Sequence, residues 1–95
     1  MEETYERLPE VVEVSGVKIE GLKARLIMRS ENKAIYLRDD KIWEVIRPKK
    51  KEARVMFGKA YPPREIYPSS EEFGKFGWAF NRKEDAIRMY EELPE

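Results

Sequence analysis

Cysteine and histidine are absent from this chain of 95 residues, and each of these absences excludes a group of functions. Without cysteine, the chain forms no disulfide, no thiolate zinc site and no iron–sulfur cluster, and it has no thiol nucleophile. Without histidine, it lacks the usual general base and the commonest ligand of transition metals. We therefore predict no cofactor and expect a binding module rather than an enzyme.

The chain also has no net charge, because 19 basic residues balance 19 acidic ones. The charges are unevenly spread: residues 1–20 carry six acids and two bases, whereas residues 21–54 carry eleven bases and five acids. An attraction of the whole chain to nucleic acid or to membranes is therefore excluded. Any site for a polyanion must be local.

Long apolar stretches are lacking as well. Residues 1–10 are acidic and do not resemble a signal peptide, and no apolar stretch approaches the roughly 20 residues that span a bilayer. Apolar residues make up 41% of the chain and aromatic residues 12%, which suits one small core. We expect a single soluble domain over 1–95 with a flexible N-terminus at 1–8. It is expected to be cytoplasmic, with no membrane partner and no small-molecule site.

Residues 11–47 predict an antiparallel β-meander. Valines on both sides of Ser15-Gly16 have the spacing of a tight hairpin. From Leu22 to Met28, apolar residues alternate with basic ones, and only Ile27 departs from the pattern. The strands expected next are 33–38 and 41–47, with turns at 30–32 and 39–40.

Residues 48–75 predict a connection that is first basic and then rich in proline and aromatic residues. Its first part suits one or two helical turns, or an extended segment that ends at Gly58. Three prolines then favour a stiff, extended chain. Ser69 and Glu72 have capping-box spacing, so a short helical turn is expected there, closed by Gly74.

The C-terminal part predicts a strand at 76–80 and a helix at 82–93. Asn81 is the expected N-cap, with Glu84 three residues later. So short a helix is marginal alone and must pack on the sheet. The predicted fold class is therefore α+β, a small antiparallel sheet of four to six strands with a C-terminal α-helix on one face. One apolar stripe of the helix comprises Ala86, Ile87, Tyr90 and Leu93.

Five of the eight residues at 47–54 are basic, a pattern that suits contacts with phosphates. Basic residues of the strand at 22–28, together with Arg29, extend this patch across a sheet face, and exposed aromatic rings nearby would stack bases. The alternative is a solvated strand end whose lysines guard an edge against pairing. The candidate polyanion-binding residues are Lys23, Arg25, Arg47, Lys49, Lys50, Lys51 and Arg54.

The segment 57–78 combines aromatic residues, prolines and arginine, the usual anchors of protein interfaces. The alternative is that its later aromatic residues belong to the core, since Phe76, Trp78 and Phe80 share one face of a strand. Tyr61 and Tyr67 are flanked by proline and are expected to be partly exposed. The candidate protein-binding residues are Phe57, Tyr61, Arg64, Tyr67 and Lys75.

Two chemical functions have weaker support. Lys49, Lys50, Arg54, Tyr61 and Arg64 are types that stabilise charge in phosphoryl transfer, as in small ribonuclease toxins, but no spacing requires it. Asp39 and Asp40 with Glu44 suit a hard cation, although a tight turn explains the two aspartates equally well. No catalytic residues are predicted.

One pattern in the C-terminal half comprises Tyr67, Pro68, Ser69, Glu71, Phe73, Gly74, Lys75, Trp78, Ala86, Tyr90 and Leu93. With this pattern, the C-terminal half resembles uncharacterised small proteins of bacteriophages and mobile elements. The resemblance implies a fold and a genomic setting but no reaction. Other members tolerate cysteine and histidine, and the absence of both residues here also suits an engineered or thermophilic sequence.

We therefore expect a non-enzymatic module that recognises a protein, for example as a phage or mobile-element inhibitor of a host protein. The alternative is a small nucleic-acid-binding protein that uses the basic strand face and residues 47–54. A third possibility is an engineered or uncharacterised domain without a native ligand.

Overall fold

The computed structural model describes residues 5–14 and 21–95, so the hairpin turn predicted at Ser15-Gly16 lies outside the described residues. A 3-10 helix spans Ser70–Glu72, and the α-helix, α1, spans Lys83–Glu92. The strands are β1 (Val11–Glu13), β2 (Lys23–Arg29), β3 (Ala34–Arg38), β4 (Trp43–Ile46), β5 (Lys49–Lys51), β6 (Arg54–Met56), β7 (Lys59–Tyr61), β8 (Arg64–Ile66) and β9 (Gly77–Phe80).

Five of these strands form one antiparallel sheet in the order β1-β2-β3-β4-β9. The first four are neighbours in sequence, and β9 joins the far edge beside β4 after the intervening segment. Helix α1 packs on β3, β4 and β9. The predicted α+β fold, an antiparallel sheet with a C-terminal helix against it, is confirmed.

The sheet buries apolar side chains on both faces because its strands alternate. On one face, Tyr36 and Ile46 are fully buried, and Leu8, Tyr67 and Phe73 pack over them. On the other face, fully buried residues of β3 and β4 meet Ala86 of α1. We call these the loop-covered and helix-covered faces. The helix-covered core residues of the sheet are Ile35 and Val45.

Strand β2 departs from strict alternation at a β-bulge between Leu26 and Met28. The extra residue, Ile27, is 42% exposed, which explains its odd place in the sequence pattern. Beyond the bulge, Met28 pairs with Ile35 and is 38% exposed. The prediction that Met28 shares a face with Leu26 is therefore wrong, because the bulge reverses the alternation.

Helix α1 begins one residue later than predicted and is capped at its C-terminal end by a lysine. Its N-cap is Arg82, which makes no side-chain capping hydrogen bond, so the expected cap at Asn81 is wrong by one residue. The acidic Glu84 in the first turn suits the positive end of the helix dipole. At the other end, the buried Lys33 donates from Nζ to the carbonyl oxygens of Tyr90 (2.7 Å) and Leu93 (2.8 Å).

The short helical turn predicted after Pro68 is present as the 3-10 helix. Glu72 Oε1 accepts hydrogen bonds from the backbone N–H and the hydroxyl of Ser69, each at 3.0 Å. Gly74 follows with a φ of 97°, a value that glycine adopts without strain. The capping-box spacing therefore correctly located this turn.

Residues 49–66 form a β-hairpin, which we call the arm, rather than helical turns or an extended segment ending at Gly58. Its outer strands β6 and β7 pack chiefly against each other. The radius of gyration is 14.1 Å, against about 12 Å expected for a compact chain of this length. The arm therefore projects from the body formed by the sheet and α1. Within the described residues, no helix is long and apolar enough to cross a membrane.

Candidate functional site

The arm is one hairpin in a single register. Lys49 pairs with Ile66 at its base, and Met56 pairs with Lys59 at its tip. In each pair, the two residues are the same number of positions away from the Phe57-Gly58 loop. The ladder is interrupted midway because Pro62-Pro63 have no N–H to donate. The prolines thus divide the arm into a base, β5 with β8, and an outer part, β6 with β7.

The tip of the arm carries an unusual residue in its two-residue loop. Phe57 has a φ of 54° and Gly58 a φ of 74°, so both positions are left-handed, as in a type I′ turn. Glycine adopts this conformation freely, but in a bulky residue it costs about 1–3 kcal/mol. The Phe57 side chain is 98% exposed, so no contact in the described structure offsets this cost.

The two faces of the outer arm differ in chemistry. One face is apolar, with Val55 (74% exposed) opposite Ala60. On the other face, Tyr61 is 38% exposed, and the Arg54 guanidinium lies 5.8 Å from its ring centroid. The Lys59 ammonium group lies 5.9 Å from the same ring. The arm therefore presents an apolar strip backed by a tyrosine with two cations.

The arm is basic overall. Residues 49–66 hold six Lys and Arg against two Glu, a net charge of +4 in a chain whose total charge is zero. Lys51 and Arg64 face each other across the base of the arm and make no ion pair or hydrogen bond with any side chain that the structure describes. These cations are available to an external anion.

A buried ion pair joins the arm to the body. Arg29 donates to both oxygens of Glu65, at 2.9 and 3.1 Å, and the Leu8 N–H donates to the same carboxylate at 3.1 Å. Burial raises the pKa of Glu65, but the hydrogen bonds from Arg29 and Leu8 outweigh it, so the pKa lies below its usual value. Arg29 is thus engaged internally, and the prediction that it extends a phosphate-binding patch is wrong.

The chain before β1 also holds the base of the arm. Glu6 donates its N–H to the carbonyl of Pro63 at 3.0 Å and accepts from the N–H of Glu65 at 2.8 Å. The described part of the predicted flexible segment 1–8 is therefore bonded to the arm. A cleft of about 410 Å³ lies beside this junction, between residues 6–13 and 64–67.

Tyr67 is partly buried and packs against the loop-covered core, in agreement with the expected partial exposure. Its ring packs edge-on against buried Tyr36, with centroids 5.3 Å apart, and its hydroxyl donates to Glu44 Oε1 at 2.7 Å. Burial raises the pKa of the Tyr67 hydroxyl. These contacts engage Tyr67 inside the fold, away from the tip of the arm.

The other predicted residues divide into three groups. Phe57, Tyr61 and Arg64 lie on the arm with Lys51 and Arg54. Lys23 and Arg25 are exposed on β2, where Arg25 aligns with Leu37 and Trp43 on the helix-covered face. Arg29 and the base of the arm adjoin the loop-covered face, so Lys23 and Arg25 do not extend the basic surface of the arm. The third group lines a groove at the base of the arm: Arg47, Lys49 and Lys50, with Lys75 beside it.

Two of the three acidic residues considered for a cation, Asp40 and Glu44, are engaged elsewhere. Arg38 donates to both oxygens of Asp40, at 2.6 and 3.0 Å. Glu44 is buried, which raises its pKa, and it accepts hydrogen bonds from Tyr67 and Arg38. Within residues 5–14 and 21–95, no group of three acidic residues is arranged to hold a metal ion.

Two features of the arm were missed by sequence reasoning. The exposure of Val55 and the role of Lys59 were not anticipated, because Gly58 was interpreted as the end of a segment rather than as the second residue of a turn. Polar and apolar residues alternate from Glu52 to Val55 before the Phe57-Gly58 pair, and this pattern was the available signal.

Comparisons with protein-family models, curated proteins and solved structures gave no match for this chain.

Proposed function

We propose that this protein is a non-enzymatic binding module that recognises another protein through its arm. The observation that carries the proposal is the strained and almost fully exposed Phe57 at the tip. Backbone strain of this kind opposes folding, so it persists mainly at sites where it serves a function. Fully exposed phenylalanine is unfavourable in water, and aromatic side chains are common anchors of protein interfaces.

The neighbouring residues support a protein partner. Val55 and Ala60 extend the apolar surface from the tip down one face of the arm, and both strands are short and paired only with each other. A segment that is already paired as a hairpin loses less conformational entropy on binding than an unfolded one, which favours affinity. In the phage or mobile-element setting that the resemblance suggests, the same proposal includes inhibition of a host protein as the role of the arm.

The test places a photoreactive phenylalanine analogue at position 57 and, as a control, at the exposed position of Ile27 on the body. Both proteins are irradiated in bacterial lysate. We expect a protease-sensitive adduct from position 57 and none from position 27. A nuclease-sensitive adduct, the same adducts from both positions, or no adduct at all would contradict the proposal.

A second variant separates binding from folding. Phe57→Asn places at the tip a residue that tolerates positive φ and is preferred before glycine in type I′ turns. We expect the hairpin to remain folded or to gain stability, while the partner is lost. Phe57→Tyr keeps the aromatic ring and should retain the partner. Retention of the partner by Phe57→Asn would show that the ring is not the anchor.

A further inference from the structure

A basic groove lies at the base of the arm, away from its tip. It has a volume of about 350 Å³, and its lining in the described chain includes three cations and no carboxylate. A volume of this size suits a small ligand or a single nucleotide unit rather than a duplex. The lining residues are Asn32, Arg47, Pro48, Lys49, Lys50 and Phe76.

The cations of the groove retain unused capacity for an anion. Arg47 donates from Nη2 to the carbonyl oxygen of Pro94, which leaves its other N–H groups without a partner among the described residues. Lys50 makes no ion pair with a described residue, and its Nζ lies 5.5 Å from the ring centroid of Tyr5. Lys49 is paired with Glu72, whose pKa falls to about 2 chiefly through that hydrogen bond.

The aromatic wall of the groove is Phe76, a half-buried ring. The ammonium groups of Lys49 and Lys75 lie 5.7 and 5.8 Å from its centroid. An aromatic ring among cations is the arrangement that stacks a base while its phosphates are neutralised.

The turn between β2 and β3, beside the groove, already binds a carboxylate of the chain itself. The Glu95 carboxylate accepts hydrogen bonds from Ser30 Oγ at 2.7 Å and from the Asn32 N–H at 3.4 Å, and Lys33 Nζ lies 3.8 Å away. The hydrogen bond from Ser30 lowers the pKa of Glu95. Asn32 donates to Glu95 in the turn and also lines the groove. The turn and the groove therefore provide two adjacent positions for an anion.

We propose that this groove binds single-stranded nucleic acid, with Glu95 as an internal competitor. One phosphate contacts Arg47 and Lys50, its base stacks on Phe76, and a neighbouring phosphate replaces the Glu95 carboxylate at the turn. The proposal is independent of the protein partner proposed for the arm, because it uses different residues.

The experiment measures the anisotropy of a labelled oligothymidylate as the full chain is added, between about 50 and 200 mM salt. We expect saturable binding that weakens with salt. Lys50→Glu should weaken it about tenfold and reduce the log–log salt slope by about 1. Phe76→Leu should weaken it about tenfold through lost stacking. Glu95→Gln should strengthen it about threefold, because the competing anion is removed.

Two control variants make the result specific. Arg25→Glu makes the same change of charge at the opposite end of the sheet, where Arg25 aligns with Leu37, and should leave the affinity nearly unchanged. Phe57→Asn should also leave it unchanged, so failure of this proposal is distinguishable from failure of the proposed function. Circular dichroism verifies that each variant is folded.

Several outcomes would overturn the proposal. No saturable binding at the lowest salt would exclude the site, and equal losses in Lys50→Glu and Arg25→Glu would show that binding depends only on total charge. Equal affinity for a duplex of the same length would exclude stacking on Phe76. An unchanged affinity of Glu95→Gln would exclude the competition by Glu95.

Discussion

The body and the arm use the same residue types in opposite ways. In the body, the large apolar side chains of Tyr36, Ile35 and Val45 are fully buried. In the arm, Val55 is 74% exposed and Phe57 is 98% exposed. Burying a side chain of this size contributes roughly 1.5–3 kcal/mol, so folding explains these three residues of the body but not Val55 and Phe57. Exposed apolar residues of the body, such as Ile27 and Met28, are 42% and 38% exposed, well below Val55 and Phe57.

Several charged residues show a related contrast. In the body, Arg38 pairs with Asp40, and Lys33 donates to the carbonyls at the end of α1. The buried pair of Arg29 and Glu65 marks the boundary, where the arm becomes part of the core. Within the arm, Lys51 and Arg64 are unpaired among the described residues. The charges of Arg38 and Lys33 thus stabilise the fold, whereas those of Lys51 and Arg64 are left unpaired.

The largest effect is expected where the two regions join. Glu65→Ala leaves Arg29 buried without its partner, since the two side chains are only 5% and 11% exposed. We expect a loss of about 3–5 kcal/mol in the free energy of unfolding, measured by urea denaturation. The control is Glu31→Ala, which breaks an exposed pair with Arg7 and should cost about 0–1 kcal/mol. Equal effects would show that the junction is not buried in solution.

A matched pair of valine substitutions compares the body with the arm directly. Val45→Ala removes a fully buried side chain and should destabilise the protein by roughly 2 kcal/mol. Val55→Ala makes the same change on the arm and should alter stability by less than about 0.5 kcal/mol. The measurement is again the free energy of unfolding. A large loss in Val55→Ala would mean that the arm packs against the body.

A matched pair of lysines gives a smaller difference. Lys33→Met removes a buried ammonium group that bonds two carbonyls at the C-terminal end of α1, and we expect a loss of about 1 kcal/mol. Lys59→Met on the arm should change stability very little. Hydrogen exchange should locate the loss in Lys33→Met at the last turn of α1. Uniform exchange throughout the chain would contradict a capping role.

The smallest effect is a difference in pH dependence between two buried carboxylates. The pKa of Glu65 is lowered in the folded state, so its stabilisation is complete above the unfolded pKa of about 4.3 and is lost as the pH falls through the folded value. The pKa of Glu44 is raised by burial, so its stabilisation is present at low pH and is lost as the pH rises through the folded value.

Thermal melts from acidic to neutral pH measure both effects. Glu65→Gln should flatten the loss of stability on the acidic side. Glu44→Gln should remove a loss that develops towards neutral pH, because the buried charge is gone while a hydrogen-bond acceptor for Tyr67 remains. If both variants changed the pH dependence of the melting temperature in the same direction, these assignments would be wrong.

Sequence reasoning located the elements whose pattern is local. The alternation from Leu22, the Ser69–Glu72 capping box and the apolar stripe of α1 each depend on neighbours a few residues apart. It failed at Met28, where a bulge reversed the alternation, and at residues 49–66, whose paired strands were predicted as helical turns or an extended segment. The tip of the arm was missed because phenylalanine seldom occupies a left-handed position.

The sequence by itself determined the fold class, because period-two and helical patterns specify which faces must be buried. It also determined the excluded chemistry, because an absent side chain cannot act. Only the tertiary structure decided which charges and aromatic rings were left exposed. Arg29 and Arg25 look alike in sequence, yet one meets Glu65 in the core and the other is exposed. Burial and pairing depend on residues far apart in the chain, and these distances exist only after folding.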